Sequence, residues 1–393
     1  MKKTIIQSMC IIVMIIYLFN DLFETIGIRD IRYLFSMFAL LGGGLLIAYK
    51  GKIKQKLWPF YIFIIWGVVW IIISLFSKGI VSVIMGFISV YFNLVIWVVC
   101  CLATDNWKDF YEKYTKIYVY SMVANCCLAV YQYFVDASLF GLATHKLYGS
   151  ESSYENLNIA RRVTALMGSP QNFAVAAGVA LLLAYDLYKR KKCSWIWAGI
   201  IFLGGCFSGA RTFGIFAIVF VVQVLWELKD KMNIRKVYII LGAFILLAVG
   251  IAVAAYTGLF SLEVFTRVID FSRWAALDVY FESFKDITLP QILFGSGYGL
   301  VGWGTSLGGF SFDYSSVESH IVALFQQGGI VIILFFMFIF LCAMMKIQRG
   351  NRRSYFMLIC IVINIFTTPA FSGLAISFLF WPMIISYYFK QEE

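Results

Sequence analysis

The sequence predicts an all-α, polytopic membrane protein, and three observations carry that prediction. Of its 393 residues, 62% are hydrophobic and only 13% charged, with a mean hydropathy of +0.85. Soluble domains carry about 25% charged residues. Apolar runs close to the ~20 residues needed to cross a ~30 Å hydrocarbon core recur along the chain. The basic residues fall in short clusters between alternate runs, which is how membrane proteins fix their orientation.

The apolar runs lie at about 5–23, 33–49, 57–77, 79–103, 117–135, 171–188, 194–210, 212–228, 237–256, 319–343, 354–368 and 374–389. Each is read as a helix, giving a bundle of about 12 spans. The first follows Met1-Lys2-Lys3 and resembles a signal peptide, but no small-x-small cleavage site follows it, so the expectation is a retained first helix. With the N-terminus placed in the cytoplasm, the inner segments collect 22 of the 32 Lys and Arg, among them Lys50 to Lys56, Lys189 to Lys192 and Lys346 to Arg353. The alternation never breaks, so an even number of spans with both termini on the cytoplasmic side of the membrane is expected.

Residues 1–393 are read as one integral membrane domain. The inner connections are too short for a folded cytoplasmic domain, whereas two real loops face outward, 136–170 and 257–318, the larger joining spans 9 and 10. Acidic residues gather on that outer side. Within the large loop, Phe271 to Ile287 has helical periodicity, with Trp274, Leu277, Phe281 and Phe284 on one side. This predicts an amphipathic surface helix, ended by Pro290 and the glycines beyond it.

Several function classes are excluded by what is missing. The net charge of +11 is dispersed in membrane-flanking clusters, which excludes a nucleic-acid partner. No P-loop, Asp-x-Asp pair, His-Glu-x-x-His or Gly-x-Ser-x-Gly occurs. The nine cysteines sit in or beside predicted spans with no ligand spacing, so neither metal nor disulfide framework is expected. The intramembrane Asn93, Asn125, Gln132, Gln223, Gln326, Gln327 and Asn364 read as helix-to-helix hydrogen bonds.

What remains is a set of outer-face polar residues at helix ends. Arg161 and Arg162 precede the sixth span and the Gly168-Ser169-Pro170 turn. Arg211 sits in Ser208-Gly209-Ala210-Arg211-Thr212, a connection too short to lift it from the bilayer. It either snorkels to headgroups or binds an anion with its two-pronged guanidinium. Arg267, Arg273, Gly295, Gly297, Tyr298, Asp313 and Glu318 lie in the large loop, and His320 lies at the mouth of the tenth span. His320 is either a structural hydrogen-bonder or a group that titrates near neutral pH.

The ordered set, from Ser-Gly-Ala-Arg-Thr through Arg267, Arg273-Trp274 and Leu293-Phe294-Gly295-Ser296-Gly297-Tyr298-Gly299, runs on to Glu318-Ser319-His320-Ile321 and Leu324 to Ile330. It resembles the O-antigen polymerase and ligase superfamily, the Wzy-type polysaccharide polymerases, over about Gly168 to Leu341. The resemblance implies a GT-C-like membrane glycosyltransferase that needs no cofactor or metal. Its donor and acceptor would be glycans on undecaprenyl pyrophosphate, and chain-length regulator and flippase proteins of the same pathway are further partners it implies. In that analogy Arg211 and Arg273 match pyrophosphate-binding arginines and His320 the catalytic loop histidine, with Glu318 able to share the base role. Arg267, Arg161, Arg162, Gly295, Gly297, Tyr298 and Asp313 would line the substrate. Where relatives often have His-Asn, this chain has His320-Ile321. Two other activities stay open: a ligase moving the finished glycan to another acceptor, and a flippase or transporter of lipid-linked glycan.

Overall fold

A computed structural model describes residues 3–50, 54–76, 79–135, 139, 163–229, 288–298, 320–347, 352–367 and 374–389. All regular structure among these residues is helical. In chain order the helices are α1 (Lys3–Leu18), α2 (Asn20–Thr25), α3 (Ile31–Lys50), α4 (Trp58–Leu75), α5 (Ile80–Ala103), α6 (Trp107–Phe134), α7 (Pro170–Lys189), α8 (Trp195–Cys206), α9 (Arg211–Lys229), α10 (Leu289–Phe294), α11 (His320–Lys346), α12 (Arg352–Thr367) and α13 (Leu374–Tyr387). Five segments are long and apolar enough to cross a membrane: Ile31–Tyr49, Gln55–Leu75, Ile80–Ala103, Pro170–Lys189 and Ala323–Lys346. The expected span at 237–256, and the amphipathic stretch at 271–287, lie outside the described residues.

Each predicted run among the described residues carries a helix, but several ends differ. The first run breaks at Phe19, where α1 gives way to the short α2, and the Leu18 carbonyl at the break accepts from Asn125 Nδ2 at 3.2 Å. Helix α6 begins at Trp107, ten residues earlier than its apolar pattern, because Asn106 caps it by accepting from Asp109 N. Its first turns carry Lys108, Glu112, Lys113 and Lys116, so hydropathy alone misses them. Pro290 opens a helix, while the stretch it was expected to end lies outside the described residues. The proline occupies the first turn of α10, where a missing N–H costs nothing, behind a Thr288–Gln291 capping box.

The bundle is built around α7, whose Ala- and Gly-rich sequence lets neighbours approach closely. It packs against α6, α8, α9, α12 and α13, and nearly every one of its side chains is buried. A Cβ on Gly178 would overlap the Phe216 ring of α9. On the other side, α5 packs on α3, α4 and α13. Helix α13 contains Pro382, which cannot donate to the Phe378 carbonyl four residues back. The indole of Trp97 on α5 donates to that same carbonyl at 2.8 Å, so the orphaned acceptor is satisfied from the next helix.

Charge contacts gather the basic helix ends in one place. Lys192, after α7, pairs with Glu112 of α6; Lys189 of α7 pairs with Glu227 of α9 at 2.8 Å; Arg353 of α12 pairs with Asp186 of α7 at 3.0 Å. Lys54 Nζ donates to the Cys101 and Thr104 carbonyls at the C-terminus of α5. The alternation of basic clusters in the sequence therefore corresponds to one basic end of the bundle.

Candidate functional site at the glycine break

The opposite end holds Gly295, Gly297, Tyr298 and the start of α9 at Arg211, described residues among the outer-face ones singled out from the sequence. Its centre is an interruption of α11 at Gly329, where φ 63° and ψ −158° lie in a region essentially confined to glycine. Breaking a helix strands carbonyls. Here those of Gln326 and Gln327 accept from Ser296 N at 2.8 Å and Gly297 N at 3.1 Å, and Trp70 Nε1 also donates to Gln327 O at 2.7 Å. The turn that supplies these amides needs Gly295 (φ 72°) and Gly297 (φ 96°). A Cβ at Gly295 would stand 2.5 Å from Gln327 C and Gly328 N, and one at Gly329 would overlap the Leu293 carbonyl. Two glycine turns about thirty residues apart thus form one interlocked unit. It is walled by Trp66, Trp70, Phe294 and Phe335 and anchored by Ser74 Oγ, which accepts from Tyr298 N at 3.2 Å.

The break also repositions His320. A continuous helix would separate residues 320 and 336 by ~24 Å. Their ring centroids are 5.4 Å apart. The chain therefore folds back at Gly329, and the half-helix His320–Gly328 runs antiparallel to the remainder of α11. His320 is fully buried at the level of Phe336, which itself packs against Phe63 and Trp381. The expectation of an imidazole at the mouth of a span is corrected accordingly: it lies inside the bundle, because a fold-back and not a straight helix follows it. A continuous aromatic path leads from there to the glycine turn, Phe336 to Phe63 at 6.0 Å, Phe63 to Tyr91 at 4.7 Å and Tyr91 to Tyr298 at 6.1 Å. Beside the break, the side-chain acceptors Gln326 Oε1 and Gln327 Oε1 are buried without a donor among the described residues. The expected helix-to-helix role of these glutamines is replaced: their backbone carbonyls do the joining.

A second polar cluster occupies the same end of the bundle. The segment Val163–Ser169, expected in an outer loop, is instead buried between helices. Its backbone is satisfied by Asp21 N to Leu166 O at 2.9 Å, Leu166 N to Asn125 Oδ1 at 3.1 Å, Gln132 Nε2 to Ala165 O at 3.1 Å and Val163 N to Phe207 O at 3.2 Å. Gln132 therefore holds a loop, Asn125 holds the loop and also joins α6 to α1 through Leu18 O, and Asn93 joins two helices, donating to Ser377 Oγ at 2.6 Å. The last of these loop contacts leads into the Ser208–Gly209–Ala210 turn (Gly209 φ 58°), at whose end Arg211 starts α9.

Arg32, in the first turn of α3, belongs to this cluster and was not singled out from the sequence. It is only 9% exposed. It donates to Asn20 Oδ1 at 3.0 Å and the Tyr33 hydroxyl at 3.2 Å and stacks over Tyr17 at 5.0 Å. Its Nε has no acceptor among the described residues. The signal was an Arg directly before a predicted span, where a cation that is buried needs a partner or ligand.

The structure thus brings together Gly295, Gly297, Tyr298 and the helix that carries His320, and it places the start of α9 at Arg211 beside the buried loop. Arg161, Arg162, Arg267, Arg273, Asp313 and Glu318 lie outside the described residues. No group of three or more His, Cys, Asp or Glu suited to a metal occurs among the described residues. No family model matches the chain, and no curated protein matches it.

Proposed function

We propose that this protein is a membrane glycosyltransferase that joins undecaprenyl-pyrophosphate-linked oligosaccharide units into a surface polysaccharide, with the site at the end of the bundle opposite the basic one. The observation that carries this reading is the interlock of the Leu293–Tyr298 turn with the break at Gly328–Gly329. The resemblance rests on an ordered set of short pieces, and backbone hydrogen bonds make two of those pieces a single unit. Glycosyl transfer from a pyrophosphate needs the charge growing on the leaving group to be stabilised, which is the task given to Arg211 and Arg273, with Arg32 adding a cation at that end. The attacking hydroxyl needs a base, worth ~10²–10⁴-fold, and His320 or Glu318 is given that task. The Gln326 and Gln327 acceptors, without a donor among the described residues, and the wall of Trp66 and Trp70 suit hydroxyl groups and sugar faces. The full count of about twelve spans, the GT-C-like class and the cytoplasmic placement of both termini in a bacterial inner membrane belong to the same proposal.

A second reading, a transporter of lipid-linked glycan, is favoured by one observation. An ionisable residue buried on a broken, folded-back helix is a feature of transport proteins. One set of experiments separates the readings. Arg211→Ala, Arg273→Ala and His320→Ala are made singly, membrane levels are matched, and surface polysaccharide is resolved on a gel. The proposal expects each to lose the length ladder, with transfer in membranes falling at least ~10²-fold for His320→Ala. Three wild-type ladders would sink it. In a deletion strain, one repeat unit per outer-leaflet lipid supports polymerisation, long unattached chains support a ligase, and lipid-linked units retained on the inner leaflet support transport.

A further inference from the structure

The basic end of the bundle contains a cavity of about 1030 Å³ between the segment before α4, the α5–α6 connection, and helices α6, α7, α12 and α13. Its size exceeds the usual ~300–1,000 Å³ of small-molecule pockets. Six cationic side chains line it against three carboxylates. The carboxylates are shared. Asp186 holds both Arg190 at 2.8 Å and Arg353 at 3.0 Å, and Glu112 holds both Lys116 at 3.1 Å and Lys192. Arg353 also reaches Glu227 at 3.8 Å, which holds Lys189, so Asp186 and Glu227 face three cations and Glu112 faces two, and each group keeps one excess positive charge. The Arg353–Asp186 contact is an ion pair without hydrogen-bond alignment, so the buried Nη1 of Arg353 has a donor to spare among the described residues. One helical turn along from Asp186 and Arg353, Leu182, Leu183 and Met357 add an apolar wall to the same cavity. Charged groups adjoining an apolar wall match an amphiphile whose polar group is anionic, and basic pockets between membrane helices bind such headgroups.

We propose that this cavity binds a phosphate group, with Arg190, Lys192 and Arg353 as its ligands. The phosphate is carried by an anionic lipid whose first carbons lie on the Leu182–Met357 wall, or it is free inorganic phosphate. The site is separate from the glycine break, so its loss leaves the Arg211, Arg273 and His320 predictions untouched.

The test uses the full chain in nanodiscs of phosphatidylcholine alone, of phosphatidylcholine with phosphatidylglycerol, and of phosphatidylcholine with added inorganic phosphate. Thermal unfolding and native mass spectrometry of retained lipid are the readouts. The expected result is a raised unfolding midpoint and retained phosphatidylglycerol. Arg190→Gln/Lys192→Gln weakens this retention about thirtyfold, and Arg190→Lys/Lys192→Arg preserves it. A shift with inorganic phosphate that the glutamine pair abolishes assigns the site to free phosphate. Should the glutamine pair fail to fold, Lys108→Gln on the exposed rim is expected to weaken retention about fivefold. No shift with either additive, or a phosphatidylglycerol shift unchanged in the glutamine pair (or in Lys108→Gln where that pair is not folded), overturns the proposal.

Discussion

At the scale of single residues, Gly329 decides more than any other described position. Its backbone angles are nearly closed to L side chains, and the space a methyl group would take is filled by the Leu293 carbonyl. Gly329→Ala is expected to cost at least ~2 kcal/mol, because conformational strain and backbone overlap add. A thermal melt of the purified protein checks this, with Gly44→Ala as the reference. Gly44 lies in α3 with nothing within 4 Å of the place an added methyl would take, so that change is expected to be neutral or stabilising by up to ~1 kcal/mol. Equal effects of the two substitutions would refute the interlock. The run Gln326-Gln327-Gly328-Gly329 was visible in the sequence, but its meaning was not. Whether Gly-Gly inside an apolar run is a close helix contact or a chain reversal depends on whether other groups can satisfy the freed carbonyls, and here the amides come from residues 296 and 297.

At the scale of elements, the broken helices survive because neighbours complete their hydrogen bonding. Trp97 of α5 does this for α13 as Trp70 of α4 does for α11. Trp97→Phe is expected to destabilise by ~2–3 kcal/mol, from an unpaired buried carbonyl and lost volume. Pro382→Ala restores an N–H that can reach Phe378 O. The two substitutions are therefore expected to couple, Pro382→Ala costing less in the Trp97→Phe background than alone. Strict additivity in a double-mutant cycle would show that the indole is not serving the proline gap.

At the scale of the whole molecule, the ion pairs of the basic end tie α6, α7, α9 and α12 together. Lys192 beside Glu112, with Lys116, holds that carboxyl below its ordinary value near 4.5. Because the folded pKa is the lower one, the unfolded chain takes up the proton first as pH falls. The contribution is present above the unfolded value and is lost as pH drops through the folded one. Melting between pH 6 and pH 3, taken as order-of-magnitude bounds around the ~4.3 of a free Glu, is expected to show a decline that Glu112→Gln reduces. An unchanged slope in that variant would remove Glu112 from the account.

Helix existence and the basic end were legible in the sequence because both follow from local composition, apolar length and the spacing of Lys and Arg. The order of polar residues was legible, and Gly295 and Gly297 lie against the helix of His320, while Tyr298 is held by Ser74 of α4. Other features were decided only by packing. Val163–Ser169 reads as an outer loop by polarity, yet it is buried because Asn125 and Gln132 satisfy its backbone from a helix forty-one and thirty-three residues away. Arg32 was not singled out from the sequence, yet it is enclosed by Tyr17 and Tyr33. His320 reads as a residue at a helix mouth, yet it lies inside the bundle. Composition and periodicity determine which segments become helices and which ends gather charge. Where a chain reverses inside the bundle depends on long-range donors for the freed carbonyls, and only the tertiary structure brings those donors into reach.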